Sequence, residues 1–95
     1  MNYPVIDTVA TGERIKKLRK ERHLRAEDIS DFMGFTNTQA VYKWQRGESL
    51  PTVDNLFALS ILFETPMEQI LVRRDKDRDE SESSLLPINM SFNLF

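Results

Sequence analysis

The sequence predicts an all-α domain, and three observations support this prediction. Apolar residues recur three and four positions apart in several short segments, which is the period of an amphipathic helix. Threonine, proline and glycine, which favour the starts and ends of helices, separate these segments. The alternating pattern of a strand occurs only late in the chain, at Ile88, Met90, Phe92 and Leu94. We therefore expect five helices followed by a flexible or strand-like C-terminal tail.

The five helices are expected between capping residues. Their predicted extents are residues 12–22, 26–33 and 37–46 for the first three, with helix four beginning at 53 and helix five at 66. Three of them follow a threonine that suits an N-cap, Thr11, Thr36 and Thr65, and helix four begins after Pro51 and Thr52. Thr36 with Gln39, and Thr65 with Glu68, have the spacing of a capping box. Gly34 suits the left-handed residue that ends helix two.

One apolar face per helix predicts the core. The expected core residues are Ile15, Leu18, Ile29, Phe32, Met33, Val41, Trp44, Val53, Leu56, Leu59, Leu62, Phe63, Met67, Ile70 and Leu71. Composition then divides the chain into an N-terminal arm at 1–11, a helical domain at 12–73, a charged linker at 74–84 and an apolar tail at 85–95. Residues 73–84 contain no apolar residue, which is typical of a solvated segment.

The net charge of −2 is unevenly distributed. Residues 11–74 carry a net +2 and residues 75–95 a net −3, and the segment 14–22 alone holds six basic residues against one acid. A local basic face matters more to a polyanion than the average charge of the chain. The charge therefore permits nucleic-acid binding by the helical domain.

Several classes of protein are disfavoured by composition. The chain has no cysteine and one histidine, so disulfides, thiolate metal sites and thiol nucleophiles are excluded. We expect no catalytic residues, no metal and no cofactor, and no small-molecule substrate is evident. No apolar run is long enough for a membrane span, and the N-terminus lacks the pattern of a signal peptide. A cytoplasmic location is the expectation.

Helices two and three have the features of a helix-turn-helix, which is two short helices joined by a tight turn. Ile29 and the small Ser30 lie where helix two approaches helix three, and Gly34 permits the turn. Val41 and Trp44 lie within 60° of each other on a helical wheel that advances about 100° per residue. The opposite side carries Gln39, Tyr42, Lys43 and Arg46. The second helix therefore has one side for the core and one polar side.

An ordered set of residues across 12–72 extends this pattern: Arg14-Ile15, Leu18-Arg19, Leu24, Ile29-Ser30, Gly34, Val41, Trp44, Arg46-Gly47, Pro51, Leu56, Leu59, Phe63 and Ile70-Leu71. In these residues the chain resembles the Cro/repressor-type (XRE-like) helix-turn-helix family of bacteria and phages. The resemblance implies a five-helix, lambda-repressor-like DNA-binding domain that reads double-stranded operator DNA with the helix at 37–46. It also implies a transcriptional regulator that carries out no reaction.

The chain departs from the family at three places. The block between Gly34 and Val41 is one residue longer than in many relatives, which displaces the start of helix three. Gln45 stands where the family often has a glutamate that pairs with the arginine matched by Arg19. Here that pair becomes a hydrogen bond to a neutral acceptor. Arg25 stands near a position where the family often has a polar phosphate contact, so its charge is expected to replace that contact.

The outward residues have predicted DNA contacts, each with an alternative. Thr38 aligns with a base-contacting position of the resemblance, or is an exposed first-turn residue. Gln39 suits a bidentate contact to adenine, or only caps the helix. Lys43 suits guanine or phosphate, or is a solvated lysine. Tyr42 contacts a base or the backbone, or packs beside helix two.

The predicted phosphate contacts are Arg25, Thr36, Asn37 and Arg46. Thr36 and Asn37 offer polar groups at a helix N-terminus, where an anion is favoured. Arg46 lies near the helix end, where it also interacts favourably with the helix dipole.

Two questions stay open at the level of sequence. The apolar tail, 85–95, pairs with a second copy to make a homodimer, folds back over the domain, or is disordered. A different class of function also remains, a protein-interaction module, antitoxin-like or partner-binding, that uses the same fold and the tail. A small hydrolase is poorly supported, because Glu27, Asp28 and Asp31 suit a helix surface better than a catalytic pocket.

Overall fold

The computed structural model describes residues 3–74 and confirms the predicted fold class, with five helices and one short strand pair. The elements are β1 (Val5–Ile6), α1 (Thr8–Glu21), α2 (Ala26–Met33), α3 (Gln39–Gln45), α4 (Val53–Phe63), α5 (Met67–Ile70) and β2 (Arg73–Arg74). The predicted tail at 85–95, and the linker beyond residue 74, lie outside the described residues. No helix within residues 3–74 is both long and apolar enough to cross a bilayer.

The first helix begins earlier than predicted, and Thr11 is not its N-cap. The Asp7 side chain caps α1 by accepting a hydrogen bond of 2.9 Å from the Ala10 N–H. Thr11 is fully buried within the helix, and its hydroxyl accepts a hydrogen bond of 2.9 Å from the Val72 N–H. Part of the predicted arm at 1–11 therefore belongs to β1 and α1.

The two ends of the domain meet in an antiparallel strand pair that the sequence did not predict. Val5 pairs with Arg74, and Ile6 pairs with Arg73. The Asp7 N–H donates to the Val72 carbonyl at 2.7 Å, which continues the connection into the start of α1. The chain before α1 is thus fixed by the chain after α5.

The helix-turn-helix segment has the predicted α2 and a shorter α3. Helix α2 has the expected bounds and ends at Gly34, whose φ of 77° is in the left-handed region that glycine tolerates. Helix α3 begins at Gln39 and not after Thr36, so the predicted capping box between these two residues is wrong. The Asn37 Oδ1 atom instead accepts the Gln39 N–H at 3.0 Å, which uses up the donor that Thr36 was expected to satisfy.

Helix α4 begins as predicted and α5 does not. The Thr52 hydroxyl accepts from the Asn55 N–H at 3.2 Å and caps the helix. Thr65 does not cap α5, because its hydroxyl donates to the Phe63 carbonyl at 3.0 Å and Pro66 occupies the N-cap position. The predicted capping box at Glu68 is therefore absent.

One core joins the five helices. Its buried apolar residues are Ile15, Ala26, Ile29, Val41, Trp44, Leu56, Leu59, Phe63 and Ile70. Leu18, Met33, Leu62, Met67 and Leu71 pack against it as half-buried residues. Two predicted core residues are wrong, since Phe32 is 50% exposed and Val53 is 74% exposed. Both lie on the outer sides of their helices.

Candidate nucleic-acid interface

Helix α3 is held by two side chains on its inner face. Val41 is fully buried, and Trp44, one turn later, is 4% exposed. The ring of Phe35, from the turn before α3, meets the Trp44 indole edge-on, with the ring centroids 5.9 Å apart and an interplanar angle of 68°. Edge-on aromatic pairs of this kind are favourable. The inner face of α3 is therefore fixed in the core.

Helix α1 lies directly beneath the end of α3. A Cβ atom added to Gly12 would lie 2.7 Å from the Gln45 carbonyl oxygen and still closer to that of Trp44. Real Cβ atoms do not approach backbone oxygens so closely. Glycine at this position therefore allows α1 to contact the carbonyl end of α3 directly.

Arg19 connects α1 to the same end of α3. Its Nε atom donates to the Gln45 Oε1 atom at 2.8 Å, which is the neutral-acceptor hydrogen bond expected from the sequence. A second guanidinium nitrogen donates to the Leu24 carbonyl at 2.8 Å. One half-buried arginine thus orients both α3 and the loop that leads into α2.

The opposite side of α3 faces outward. Gln39, Tyr42, Lys43 and Arg46 are exposed, and Thr38 is half-buried. These five residues line one open groove of about 380 Å³. The structure therefore brings together on one surface the four predicted base-contacting residues and one predicted phosphate contact.

A second open groove, of about 480 Å³, continues around the turn between α2 and α3. Thr36 and Asn37, two of the predicted phosphate contacts, are exposed in its lining, and it shares Gln39 and Lys43 with the first groove. The two grooves therefore make one surface, which we call the α3 surface: residues 36–39, 42, 43 and 46.

Arg46 and Arg25 each have a carboxylate partner within the chain. The Arg46 guanidinium contacts Glu48 at 2.6 Å and 3.2 Å. Arg25, which lies just before α2 and apart from the α3 surface lining, contacts Asp28 at 3.1 Å. These hydrogen bonds lower the pKa of both carboxyl groups and raise the pKa of both arginines. Both ion pairs are open to water, so they are screened and contribute little to stability.

Comparison with known proteins now identifies the family. Residues 15–70, more than half of the chain, match the model of a family described as Helix-turn-helix. The chain belongs to this helix-turn-helix family. A segment of 55 residues is 36% identical to "Repressor protein C2" of Salmonella phage P22, and it spans 58% of this chain but only 25% of that repressor.

Two solved structures share the helix-turn-helix fold. One is the restriction-modification controller protein C.AhdI from Aeromonas hydrophila, with a TM-score of 0.61 and 22% identity over 67% of this chain and 96% of that one. The other is the DNA-binding domain of BldD, with a TM-score of 0.57 and 18% identity over 67% of this chain and 92% of that one. At these identities the likeness concerns the fold.

Sequence reasoning missed the partners of the two arginines in this helix-turn-helix domain. Asp28 follows Arg25 by three residues, at the spacing of a capping box, and its carboxylate also accepts the Arg25 backbone N–H at 2.7 Å. That spacing could have predicted the contact between Arg25 and Asp28. The pairing of Arg46 with Glu48 crosses the end of α3 and has no comparable signal, because it depends on the turn at Gly47, whose φ is 76°.

Across residues 3–74 no group of three or more histidine, cysteine, aspartate or glutamate side chains is close enough to hold a metal ion.

Proposed function

We propose that this protein binds double-stranded DNA and regulates transcription, with α3 placed in the major groove. The observation that carries the proposal is the two-sided construction of α3. Val41 and Trp44 are buried on one side, while Gln39, Tyr42 and Lys43 are exposed together on the other. A helix of the width of α3 fits the major groove of B-form DNA, where base edges are accessible.

The α3 surface supplies two kinds of contact under this proposal. Thr38, Gln39, Tyr42 and Lys43 meet base edges, and Thr36, Asn37 and Arg46 meet phosphates. Phosphate contacts set the position of the domain on the duplex, and base contacts supply the sequence preference. Arg25 adds a phosphate contact at the start of α2, after its exposed ion pair with Asp28 opens.

The names of the similar proteins support a role in DNA binding and regulation. The P22 protein is named a repressor, C.AhdI is named a controller protein, and the BldD structure is of a DNA-binding domain. We further propose that two copies bind a palindromic or near-palindromic operator, because two-fold symmetric sites match symmetric dimers of helix-turn-helix proteins.

The test compares two lysines in the full chain. Lys43→Ala removes a lysine from the α3 surface, and the matched control Lys17→Ala removes an exposed lysine from α1. Binding of duplexes selected from a random pool is measured at salt concentrations from about 50 to about 200 mM. We expect Lys43→Ala to weaken binding by about 1–3 kcal/mol if it contacts a base, or to reduce the salt slope by about one if it contacts a phosphate.

The control separates a specific site from general charge. Lys17→Ala is expected to change affinity much less than Lys43→Ala. If the two variants bind the selected duplexes equally, α3 is not the reading element. If the wild-type protein selects no duplex at all, the regulatory proposal fails and the protein-interaction class of function is favoured.

A further inference from the structure

Helix α4 has apolar residues on both of its sides. Eight of its eleven residues are apolar, and Leu56, Leu59 and Phe63 are buried in the core. On the outer side, Val53, Phe57 and Ile61 lie four positions apart and are 74%, 58% and 58% exposed. Residues at this spacing are neighbours on a helix surface and form a continuous stripe. We call these three residues the α4 stripe.

The α4 stripe needs a cover that residues 3–74 do not supply. A helix that is hydrophobic all round is normally buried on all sides. Contiguous exposed apolar surface of this kind usually marks an interaction site. The outer side of α4 is therefore the strongest unassigned surface in the described part of the chain.

The chain beyond residue 74 contains a segment of matching chemistry. Residues 85–95 hold seven large apolar residues and no charged residue, so covering the stripe with them would desolvate no charge. Ile88, Met90, Phe92 and Leu94 alternate with other residues, which gives an extended segment one apolar side.

The connection is long enough for this contact. The described chain ends at Arg74 in β2, four residues after the end of α5, and α5 packs against α4. The ten residues 75–84 span up to about 33 Å when extended. A domain of about 70 residues has a radius of gyration of only about 11 Å. The extended length of residues 75–84 is therefore about three times this radius of gyration.

We propose that residues 85–95 dock on the α4 stripe of their own chain. Two sites joined by a short stretch of chain are at an effective concentration in the millimolar range toward each other. At micromolar protein concentration this favours contact within one chain over contact between copies. The docked segment covers the exposed side of α4, and the proposal does not depend on DNA binding.

The absence of cysteine makes a direct test simple. Asn93→Cys in the full chain gives one attachment point for a nitroxide spin label within the segment. Amide signals of the ¹⁵N-labelled protein are compared before and after chemical reduction of the label. We expect a severalfold loss of intensity that is strongest at Val53, Phe57 and Ile61 and declines with distance from them across the domain.

Two further variants, made on the labelled chain, identify the contact. Phe57→Ser removes the middle of the α4 stripe and is expected to restore the lost intensity. Phe32→Ser removes an aromatic residue of similar exposure from α2 and is expected to leave the broadening unchanged. The indole signal of Trp44 reports that both variants remain folded.

Three outcomes overturn the proposal. Broadening that is absent, or centred away from α4, shows that the segment does not dock there. Broadening that survives Phe57→Ser shows that the α4 stripe is not the contact. In a third sample, the ¹⁵N-labelled wild-type chain, which has no cysteine and so carries no spin label, is mixed with the spin-labelled variant in ¹⁴N form. Broadening of the α4 signals in that mixture shows that a second copy supplies the segment.

Discussion

The hydrogen bond between Arg19 and Gln45 helps to orient the short helix α3. Helix α3 has only seven residues, and isolated helices of that length are not stable in water. Its orientation depends on side chains that join it to the rest of the fold. Arg19 contributes by donating to Gln45 and to the Leu24 carbonyl at once. A single guanidinium therefore fixes the end of the element proposed to read DNA.

Gln45→Glu tests this contact. The 2.8 Å hydrogen bond becomes charge-assisted, and such bonds exceed neutral ones by about 1 kcal/mol. We expect the free energy of unfolding at neutral pH to rise by about that amount. Pairing with Arg19 holds the pKa of the introduced carboxyl below its unfolded value of about 4.3. The gain is therefore present above that pH and is lost as pH falls through the folded pKa. Urea denaturation at neutral pH measures the gain in the free energy of unfolding, and the same experiment at about pH 3 measures its loss.

Ser30 is a buried hydroxyl without a partner in the described part of the chain. It is 3% exposed, and its Oγ atom makes no hydrogen bond there. Ser30→Ala removes this unsatisfied group and improves helix propensity, so we expect a gain of about 0.5–1 kcal/mol in the free energy of unfolding. Ser30→Val is the paired variant and is expected to destabilise by about 1–3 kcal/mol through overpacking. A loss of stability in Ser30→Ala would mean that the hydroxyl has a hydrogen-bond partner.

At the scale of the elements, the contact between α1 and α3 depends on Gly12. Gly→Ala inside a helix normally stabilises by about 1 kcal/mol. Here the added Cβ would press against the carbonyls of Trp44 and Gln45, so we expect Gly12→Ala to destabilise by about 1–3 kcal/mol. Thermal unfolding shows whether Gly12→Ala raises or lowers stability. A lower stability indicates the steric contact, and a higher stability indicates the usual gain in helix propensity. Trp44 is the only tryptophan, so its fluorescence also reports the displacement of α3.

The same scale shows what the sequence could predict. Helix α2 was predicted with its observed bounds, because its apolar spacing and Gly34 are local signals. The start of α1 differs from the prediction, because Asp7 caps the helix through the Ala10 N–H and Thr11 lies buried inside it. The start of α3 was missed, because Asn37 accepts the N–H that Thr36 was expected to accept.

In the candidate site, too, the sequence predicts some features and not others. The outward direction of Gln39, Tyr42 and Lys43 followed from the helical period alone, since burial of Val41 and Trp44 fixes the other side. The ion pair between Arg46 and Glu48 did not follow, because it depends on the path of the chain after α3. Local periodicity predicts which side of a helix is exposed, but it does not decide which of several nearby polar residues caps the helix or pairs with a charge.

At the scale of the whole molecule, the domain is closed by contacts between its two ends. Strands β1 and β2 pair, and Val72 contacts both Asp7 and Thr11 through backbone and side-chain groups. These contacts hold the start of α1 in place, and α1 in turn lies beneath α3. The position of α3 therefore depends on residues about 60 positions apart in the chain.

Thr11→Val tests this closure with a side chain of the same shape. The variant removes the hydroxyl that accepts the Val72 N–H at 2.9 Å and leaves that donor unsatisfied in a partly buried place. We expect a loss of about 1–3 kcal/mol in the free energy of unfolding. Thr36→Val is the matched control, because Thr36 is exposed, and it is expected to stay within about 0.5 kcal/mol of wild type.

Hydrogen exchange then separates closure of the ends from general stability. In Thr11→Val the amides of Asp7 and Val72 are expected to exchange faster than the overall loss of stability explains, because local opening of the strand pair requires less free energy than global unfolding. If these amides keep their protection while the whole domain loses stability uniformly, Thr11 acts as a core residue only. In that case the strand pair and the backbone hydrogen bond from Asp7 to Val72 hold the ends together.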